Sequence, residues 1–505
     1  MKSATTTAAV VVAVAASAAV FWPIVNVGFF ADDWVHFYDI VNEGPGRFWV
    51  KNFIGHLQLT RNAIFLLHHA LFGLHPAPYM GWVLVTHLLN VALLVLLVAR
   101  LTGNAAVAAL VAMLWGTSPF HVDVLGWYSV YGQVLAATCA LWLLWQVARV
   151  AAAGGGRTER MPWSWPVAML LASTSFGSGW AIALAMPAVA WLVFPEKRQR
   201  PLVLGVAASA VLCAALYVLV DLLNTSMFET PSAIWMGPSD GRTVARLVEL
   251  VARLLAAATA TWIPAAFTAA PPAGQGAWLA LSAYVAVLAL GITRMDARER
   301  RWTLASVLLS LSAYTMIALG RAALLSKVEQ SITLGARYHY APVLGMGLAL
   351  ALALAAIWRS VRRYRPVGGV IYAGWIAALL AGRVWNAAPI PRFDDQQRTV
   401  DDVLAHVRTA VDAAPPGADV FIANRDFMYS YRLSMQVGHA DFPLRYPGWA
   451  AIFAIYHPSD VVDGRRVYFV VDDPAKVAAW QRGRRGAALI VSPEAMRSRG
   501  GQLSE

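Results

Sequence analysis

Two adjacent carboxylates, Asp32 and Asp33, follow an apolar run of roughly twenty residues, about the length that crosses a bilayer. Charge inside hydrocarbon is expensive, which puts the pair just beyond the membrane core. The flanking Phe29, Phe30 and Trp34 suit the headgroup layer, where aromatic rings concentrate. A carboxylate at the mouth of a membrane protein is well placed to act as a general base toward a lipid-borne substrate; the competing reading is a solvated helix end. Two further polar stretches lie between apolar runs. One is Ser118-Pro119-Phe120-His121-Val122-Asp123, continuing through Gly126-Trp127-Tyr128 to Tyr131-Gly132-Gln133. The other runs from Ser326-Lys327 to Arg337-Tyr338-His339-Tyr340-Ala341-Pro342. Acids in two segments and cations in the third are what a transfer reaction needs: a base for an acceptor hydroxyl and positive charge for a phosphate leaving group.

Each group also has a plainer role. Asp123 and His121 could cap a helix. Arg337 could anchor a helix end at the headgroups. His87 and Asn90, inside a membrane run, could bond only to neighbouring helices. His68 and His69 are expected to face water. Acids in one loop with a histidine in the next could hold a divalent cation, though no cofactor is expected to be required.

The elements that must position these groups are membrane helices. Of 505 residues, 59% are hydrophobic and 13% charged, the composition of a multi-pass membrane protein. A net charge of +12 would suggest nucleic acid in a soluble chain. Here the basic clusters fall between apolar runs, so the positive-inside rule explains them and no nucleic-acid partner is expected. Cys139 and Cys213 both lie within apolar runs and read as packed thiols.

Apolar runs near 8–30, 79–100, 104–120, 130–150, 163–178, 180–194, 201–222, 275–293, 302–324, 339–358 and 367–388 predict about eleven transmembrane helices. The first could be a signal peptide cleaved near Ala15-Ala16-Ser17-Ala18, but its length favours an uncleaved helix. Basic links at 149–160, 196–200, 294–301 and 359–365 are expected in the cytoplasm. That places the N-terminus inside and the three polar segments outside. Gly44-Pro45-Gly46 marks a turn. Asn62 to Leu74 reads as an amphipathic surface helix, and the stretch with Arg242, Arg246, Glu249 and Arg253 as a surface or re-entrant one. From about Arg392 the hydrophobic runs shorten. Helical spacing over 395–411 and 474–481 alternates with strand signals at Val420-Phe421-Ile422, Val467 to Val471 and Ala488 to Val491. The expected fold is mainly α: a membrane-helical domain over 1–390 and a small extracytoplasmic α/β domain over 391–505.

The order of these features resembles the GT-C superfamily, multi-spanning glycosyltransferases that use polyprenyl-phosphate-linked sugars and carry an acidic pair in the first extracytoplasmic loop, here Asp32-Asp33. The membrane domain is most similar to that of the tetratricopeptide-containing transmembrane O-mannosyltransferases. Their Arg-Pro-Leu, Gly-hydrophobic-x-Pro and following helix histidine correspond to Arg61-Asn62-Ala63, Gly73-Leu74-His75-Pro76 and His87. Their Pro-x-His-x-Glu corresponds to Pro119-Phe120-His121-Val122-Asp123, and their Glu-Arg-x-x-Tyr-x-Pro to Ala336-Arg337-Tyr338-His339-Tyr340-Ala341-Pro342. The chain departs from the family at Tyr131-Gly132-Gln133, where an Arg-x-Asp/Glu is usual, and at Gly177-Ser178-Gly179, where a Lys-Glu is usual; it also has no helical repeats.

The resemblance implies transfer of a sugar from a polyprenyl monophosphate, with inversion, to an extracytoplasmic hydroxyl on a protein, lipid or glycan. It would make the chain an integral protein of the plasma (inner) membrane. Asp32 would be the base, with Asp33 and Asp123 orienting hydroxyls. Arg337, with Lys327 and Arg61, would hold the donor phosphate, and His87, His121 and Tyr340 would join the substrate site. The main rival is a lipid or polysaccharide transporter or an assembly scaffold. It is disfavoured because the ionisable residues gather in loops on one side and no inverted repeat is seen.

Overall fold

The computed structural model describes residues 2–29, 32–53, 56–152, 161–228, 241–262, 275–320 and 336–360, isolated helical positions 374 and 377, and four short strands between 419 and 491. The chain divides into two compact units, one of 1–26 with 50–390 and one of 27–49 with 391–505.

The first unit is helical. Its helices are α1 (Lys2–Phe21), α4 (Leu59–Phe72), α5 (Pro76–Thr102), α6 (Ala105–Gly116), α7 (Val122–Leu125), α8 (Gly132–Ala152), α9 (Ser164–Ser173), α10 (Gly177–Val193), α11 (Arg200–Phe228), α12 (Gly241–Ala260), α13 (Gln275–Ile292), α14 (Ala297–Gly320) and α15 (Pro342–Ser360). Among the described residues seven spans, those built on α1, α5, α8, α11, α13, α14 and α15, are long and apolar enough to cross a membrane. The chain is a multi-pass membrane protein.

Local sequence explains the element ends. Pro76 opens α5, where its missing amide hydrogen is not needed, and Gly103 closes it in the left-handed region at φ 66°. The Asn104 side chain caps α6 by accepting from the amides of Ala106 and Val107 at 3.0 and 3.2 Å.

The expected run 104–120 is not one continuous helix. It stops at Gly116, and the chain resumes as a 3-10 turn, Pro119–His121, followed by α7, with a bend of 50° across the break. Proline disfavours helical geometry in the residue before it, and Ser118 is extended at ψ 131°. The polar segment is therefore turned out of the line of α6. The runs 163–178 and 180–194 form the shorter helices α9 and α10, broken at Thr174-Ser175-Phe176. There the Thr174 and Ser175 hydroxyls turn back onto the carbonyls of Leu170 and Leu171. The run 367–388 lies outside the described residues.

The helices α14 and α15 are antiparallel and tied at both ends. At one end Arg359 pairs with Glu299 at 2.6 Å and Arg294 donates to Ser360 at 2.5 Å. The basic link 294–301 and Arg359 therefore share one end of the bundle. At the other end Ser310 donates to the Pro342 carbonyl at 2.6 Å, and the Tyr314 hydroxyl meets His339 Nδ1 at 2.9 Å.

The second unit contains α2 (Asp32–Asn42) and most of α3 (Pro45–Val50), joined through Gly44 at φ 84°. It also contains a four-stranded sheet of β1 (Asp419–Ala423), β2 (Val461–Val462), β3 (Arg465–Val470) and β4 (Ala488–Val491), in the order β2-β3-β1-β4. Strand β1 pairs parallel with β3 and β4, and β2 pairs antiparallel with β3. The unbroken apolar runs of β1 and β4 suit parallel strands covered on both faces. The helical stretches expected at 395–411 and 474–481 lie outside the described residues.

Close approach of α8, α9 and α10 requires glycine. A Cβ on Gly179 would overlap the Ala172 carbonyl oxygen, and one on Gly132 would overlap that of Ser175, whereas one on Gly46 would meet nothing within 4 Å. We expect Gly179→Ala to lower the melting temperature in detergent, at a cost of about 1–3 kcal/mol from overpacking, and Gly46→Ala to leave it unchanged. Equal melting temperatures for the two variants would contradict the packing described.

Candidate active site

The second and third polar segments meet. The ring of Phe120 stacks on His339 at 4.2 Å and 15°, and His121 lies 4.5 Å from Tyr340. The Arg337 guanidinium stands 5.4 Å from the Trp127 ring centre and 4.9 Å from that of Tyr338, with a hydrogen bond to the Tyr338 hydroxyl at 3.4 Å. Aromatic faces attract a cation without neutralising it. Among the described residues no carboxylate pairs with Arg337. This half-buried cation is thus held in place while keeping its charge.

The segment carrying Arg337 is fixed from below by a chain of buried hydrogen bonds. The His87 Nε2 is 2.9 Å from the Gly116 carbonyl, an acceptor only, so this nitrogen carries the hydrogen. Nδ1 must then accept, and the Tyr340 hydroxyl donates to it at 2.8 Å. The same hydroxyl accepts from Asn90 Nδ2 at 3.2 Å, and Asn90 also donates to the Val134 carbonyl at 3.0 Å. Trp115 Nε1 donates to the Tyr340 carbonyl at 3.2 Å. Burial pushes the Tyr340 phenol above its ordinary range, so it remains a neutral hydroxyl.

His87, His121 and Tyr340, all expected at the substrate, are fully buried. Both ring nitrogens of His87 are already engaged by the protein. His121 is enclosed by Phe21, His87, Trp115 and Tyr340 at ring distances of 6.4, 5.4, 4.8 and 4.5 Å. Asp123 is half-buried in the first turn of α7. Lys327 lies outside the described residues.

Arg61 is also fully buried, on α4, where its guanidinium donates to Gln58 and lies 5.7 Å from the Phe65 ring centre. Phe65 packs on Tyr128 at 5.0 Å, so Arg61 and Arg337 stand on elements that meet around the turn at 127–130.

His68 does not face water. It is 3% exposed, ringed by Phe72, Tyr79, Trp82 and Tyr128, with the Tyr128 hydroxyl 2.6 Å from its Nδ1. The helix α4 turns this side toward α5 and the 127–130 turn because Tyr79 and Tyr128 supply both an apolar enclosure and one hydroxyl.

The acidic pair belongs to the second unit and opens α2, where carboxylates favour the positive end of the helix dipole. Asp33 is buried and Asp32 half-buried. His36 and Asp39, one and two turns further on, are buried too. Among the described residues no three histidine, cysteine or acidic side chains converge as a metal site.

Two buried polar groups on α11, Asp221 and Asn224, escape the sequence reading. An acid and an amide at the end of an apolar run are the signal that could have marked them.

No protein-family model matches the chain, and no curated protein matches it. Solved structures do. The chain is similar to ArnT from Cupriavidus metallidurans bound to undecaprenyl phosphate, with 13% identity and a TM-score of 0.52, over 97% of this chain and 94% of that one. The likeness is one of fold, and it runs nearly the whole length of both chains. The archaeal oligosaccharyltransferase AglB from Archaeoglobus fulgidus, in complex with an inhibitory peptide and a dolichol-phosphate, aligns with 13% identity and a TM-score of 0.42 over 85% of this chain. The chain spans 63% of the length of that protein. The finer resemblance to O-mannosyltransferases rests on the sequence motifs alone.

Burial lowers the His68 pKa from 6.5 to about 4. Between those values the unfolded ring takes up a proton that the folded ring refuses, so stability should be complete above pH 6.5 and fall as pH drops toward 4. Thermal unfolding in detergent across this range should show the loss in the wild type and a flatter profile in His68→Asn. Identical profiles would place the pH dependence elsewhere.

Proposed function

We propose that this protein is an integral membrane glycosyltransferase that moves a sugar from a polyprenyl monophosphate to an acceptor hydroxyl outside the cytoplasm. The observation that carries the reading is Arg337, a cation held by two aromatic faces and unpaired with any carboxylate among the described residues, where the second and third polar segments meet. A guanidinium so placed can bond two oxygens of a phosphate at once. The near end-to-end likeness to ArnT, solved with undecaprenyl phosphate, supports the same class of donor.

In this mechanism Arg337 binds the donor phosphate and steadies its charge as the bond from the sugar carbon to the phosphate oxygen breaks. Arg61 and Lys327 add positive charge. Asp32 takes the proton of the acceptor hydroxyl as that oxygen attacks the sugar carbon from the opposite side, which inverts the configuration. Asp33 and Asp123 orient hydroxyls of acceptor or sugar. His87 and Tyr340 act behind this layer, holding the 337–342 segment. The acceptor is a protein, a lipid or a glycan, and the mouth of the site with the 391–505 domain faces away from the cytoplasm of the plasma membrane.

Transfer from defined polyprenyl-phosphate sugars by purified protein in detergent tests the reading. Arg337→Ala should weaken donor binding more than acceptor use, and Arg337→Lys should restore it only in part, because a point charge cannot reproduce the two-oxygen contact. Unchanged donor affinity in Arg337→Ala would move the phosphate site. Asp32→Asn should lose roughly 10²–10⁴-fold in turnover while still binding donor. Full activity in Asp32→Asn and Asp33→Asn, singly and together, would remove the base from this loop.

A further inference from the structure

The chain leaves the acid-bearing segment 27–49 through residues 50–52, and three successive backbone groups there are held by side-chain amides from two different helices. Asn224 on α11 donates from Nδ2 to the Val50 carbonyl at 2.7 Å and accepts from the Asn52 amide on Oδ1 at 2.5 Å. Its second Nδ2 hydrogen goes to the Val220 carbonyl at 2.9 Å, which fixes the amide plane on its own helix. Asn62 on α4 donates to the Lys51 carbonyl between these, at 3.0 Å. Both asparagines are buried, at 2% and 1% exposure.

Just beyond, Phe53 and His56 pair as an antiparallel bridge, and the His56 ring stacks on Phe176 at 4.4 Å. The Thr60 amide donates to the Thr174 carbonyl at 2.9 Å, and the two threonine hydroxyls are 2.7 Å apart. At the other root of the segment, Phe21 and Ile24 are buried, with Phe21 edge-on to His87 at 5.5 Å. The stretches of the helical unit on either side of residues 27–49 are therefore both held by its own helices.

We propose that Asn224, seconded by Asn62, is a positioning residue: it fixes the backbone at 50–52, the stretch that continues from the acid-bearing segment, and loosening it lowers turnover. The proposal rests on the transferase reading given above. A side-chain amide is suited to the task because it offers a donor and an acceptor in one plane, the pattern a neighbouring strand would offer. Buried in a span end, it holds the backbone without a strand, and loss of either function leaves a backbone group without its bond. Small displacements of a catalytic group cost large factors in rate, so a loosened root should act on turnover rather than on donor binding.

The test uses the full-length protein in detergent. A nitroxide is placed at Gly46→Cys, in a background with Cys139→Ala and Cys213→Ala; Gly46 is exposed and has open space for a side chain. In Asn224→Ala the label should become more mobile, turnover should fall roughly 10- to 100-fold, and affinity for a polyprenyl phosphate should be unchanged. Asn62→Ala, which removes the bond to the Lys51 carbonyl, should raise label mobility and lower turnover by less, with affinity again unchanged. Asn224→Asp, which keeps the acceptor for the Asn52 amide but loses the donor, should fall between.

An immobile label in both alanine variants would overturn the clamp. A mobile label with wild-type turnover would overturn the positioning role. Loss of donor affinity matching the loss of turnover would overturn it as well, in favour of a general structural role. A wild-type protein that transfers no sugar from any polyprenyl phosphate would sink the transferase reading instead, while the nitroxide still decides whether Asn224 holds the root.

Discussion

The buried hydroxyl of Tyr340 is the point on which the arrangement depends. It receives a hydrogen from Asn90, gives one to His87, and through His87 reaches the Gly116 carbonyl at the end of α6. Helices in a membrane gain little from the hydrophobic effect against one another, so close packing and internal hydrogen bonds decide their register. Each member of this chain has its role fixed by the next, because a carbonyl can only accept and an amide nitrogen can only donate. Reversing one bond would leave another buried group unsatisfied, which is costly where no water can substitute. The chain thus joins α5, α6 and the start of α15 in one register, with Arg337 three residues away along the backbone from the hydroxyl that locks it.

The sequence discloses the parts better than their depth. Composition and basic links mark the membrane helices because hydrocarbon selects so strongly for apolar runs. The motifs around His121 and Arg337 mark the two segments that meet because polar residues are scarce in such a chain. What cannot be read is which face of a short helix is inward. His68 and His69 are neighbours of one type, and only the enclosure by Tyr79, Trp82 and Tyr128 distinguishes them. The break after Gly116 is legible in Pro119 but is masked by the apolar residues around it. Asn224 is marked as a polar residue at the end of an apolar run, but what it holds is not legible: its partners are backbone groups some 170 residues earlier, and backbone groups leave no mark in a sequence.

The strands of the second unit show the converse. Val420-Phe421-Ile422 and Ala488-Leu489-Ile490-Val491 are unbroken apolar runs, and such runs specify a strand covered on both faces with little help from context. Their parallel pairing around β1 follows from crossover connections, which no local pattern encodes.

The way Arg337 is held bears on what it can do. An arginine paired to a carboxylate has its charge spoken for, and a phosphate arriving there must displace the acid. An arginine over Trp127 and Tyr338 is oriented by attraction to ring faces that remain neutral. The planar, weakly hydrated guanidinium suits this better than an ammonium, which loses more solvation against a ring. The buried chain through Tyr340 fixes Arg337 in advance, and under the proposed reaction that is the condition in which a preplaced charge lowers a barrier most.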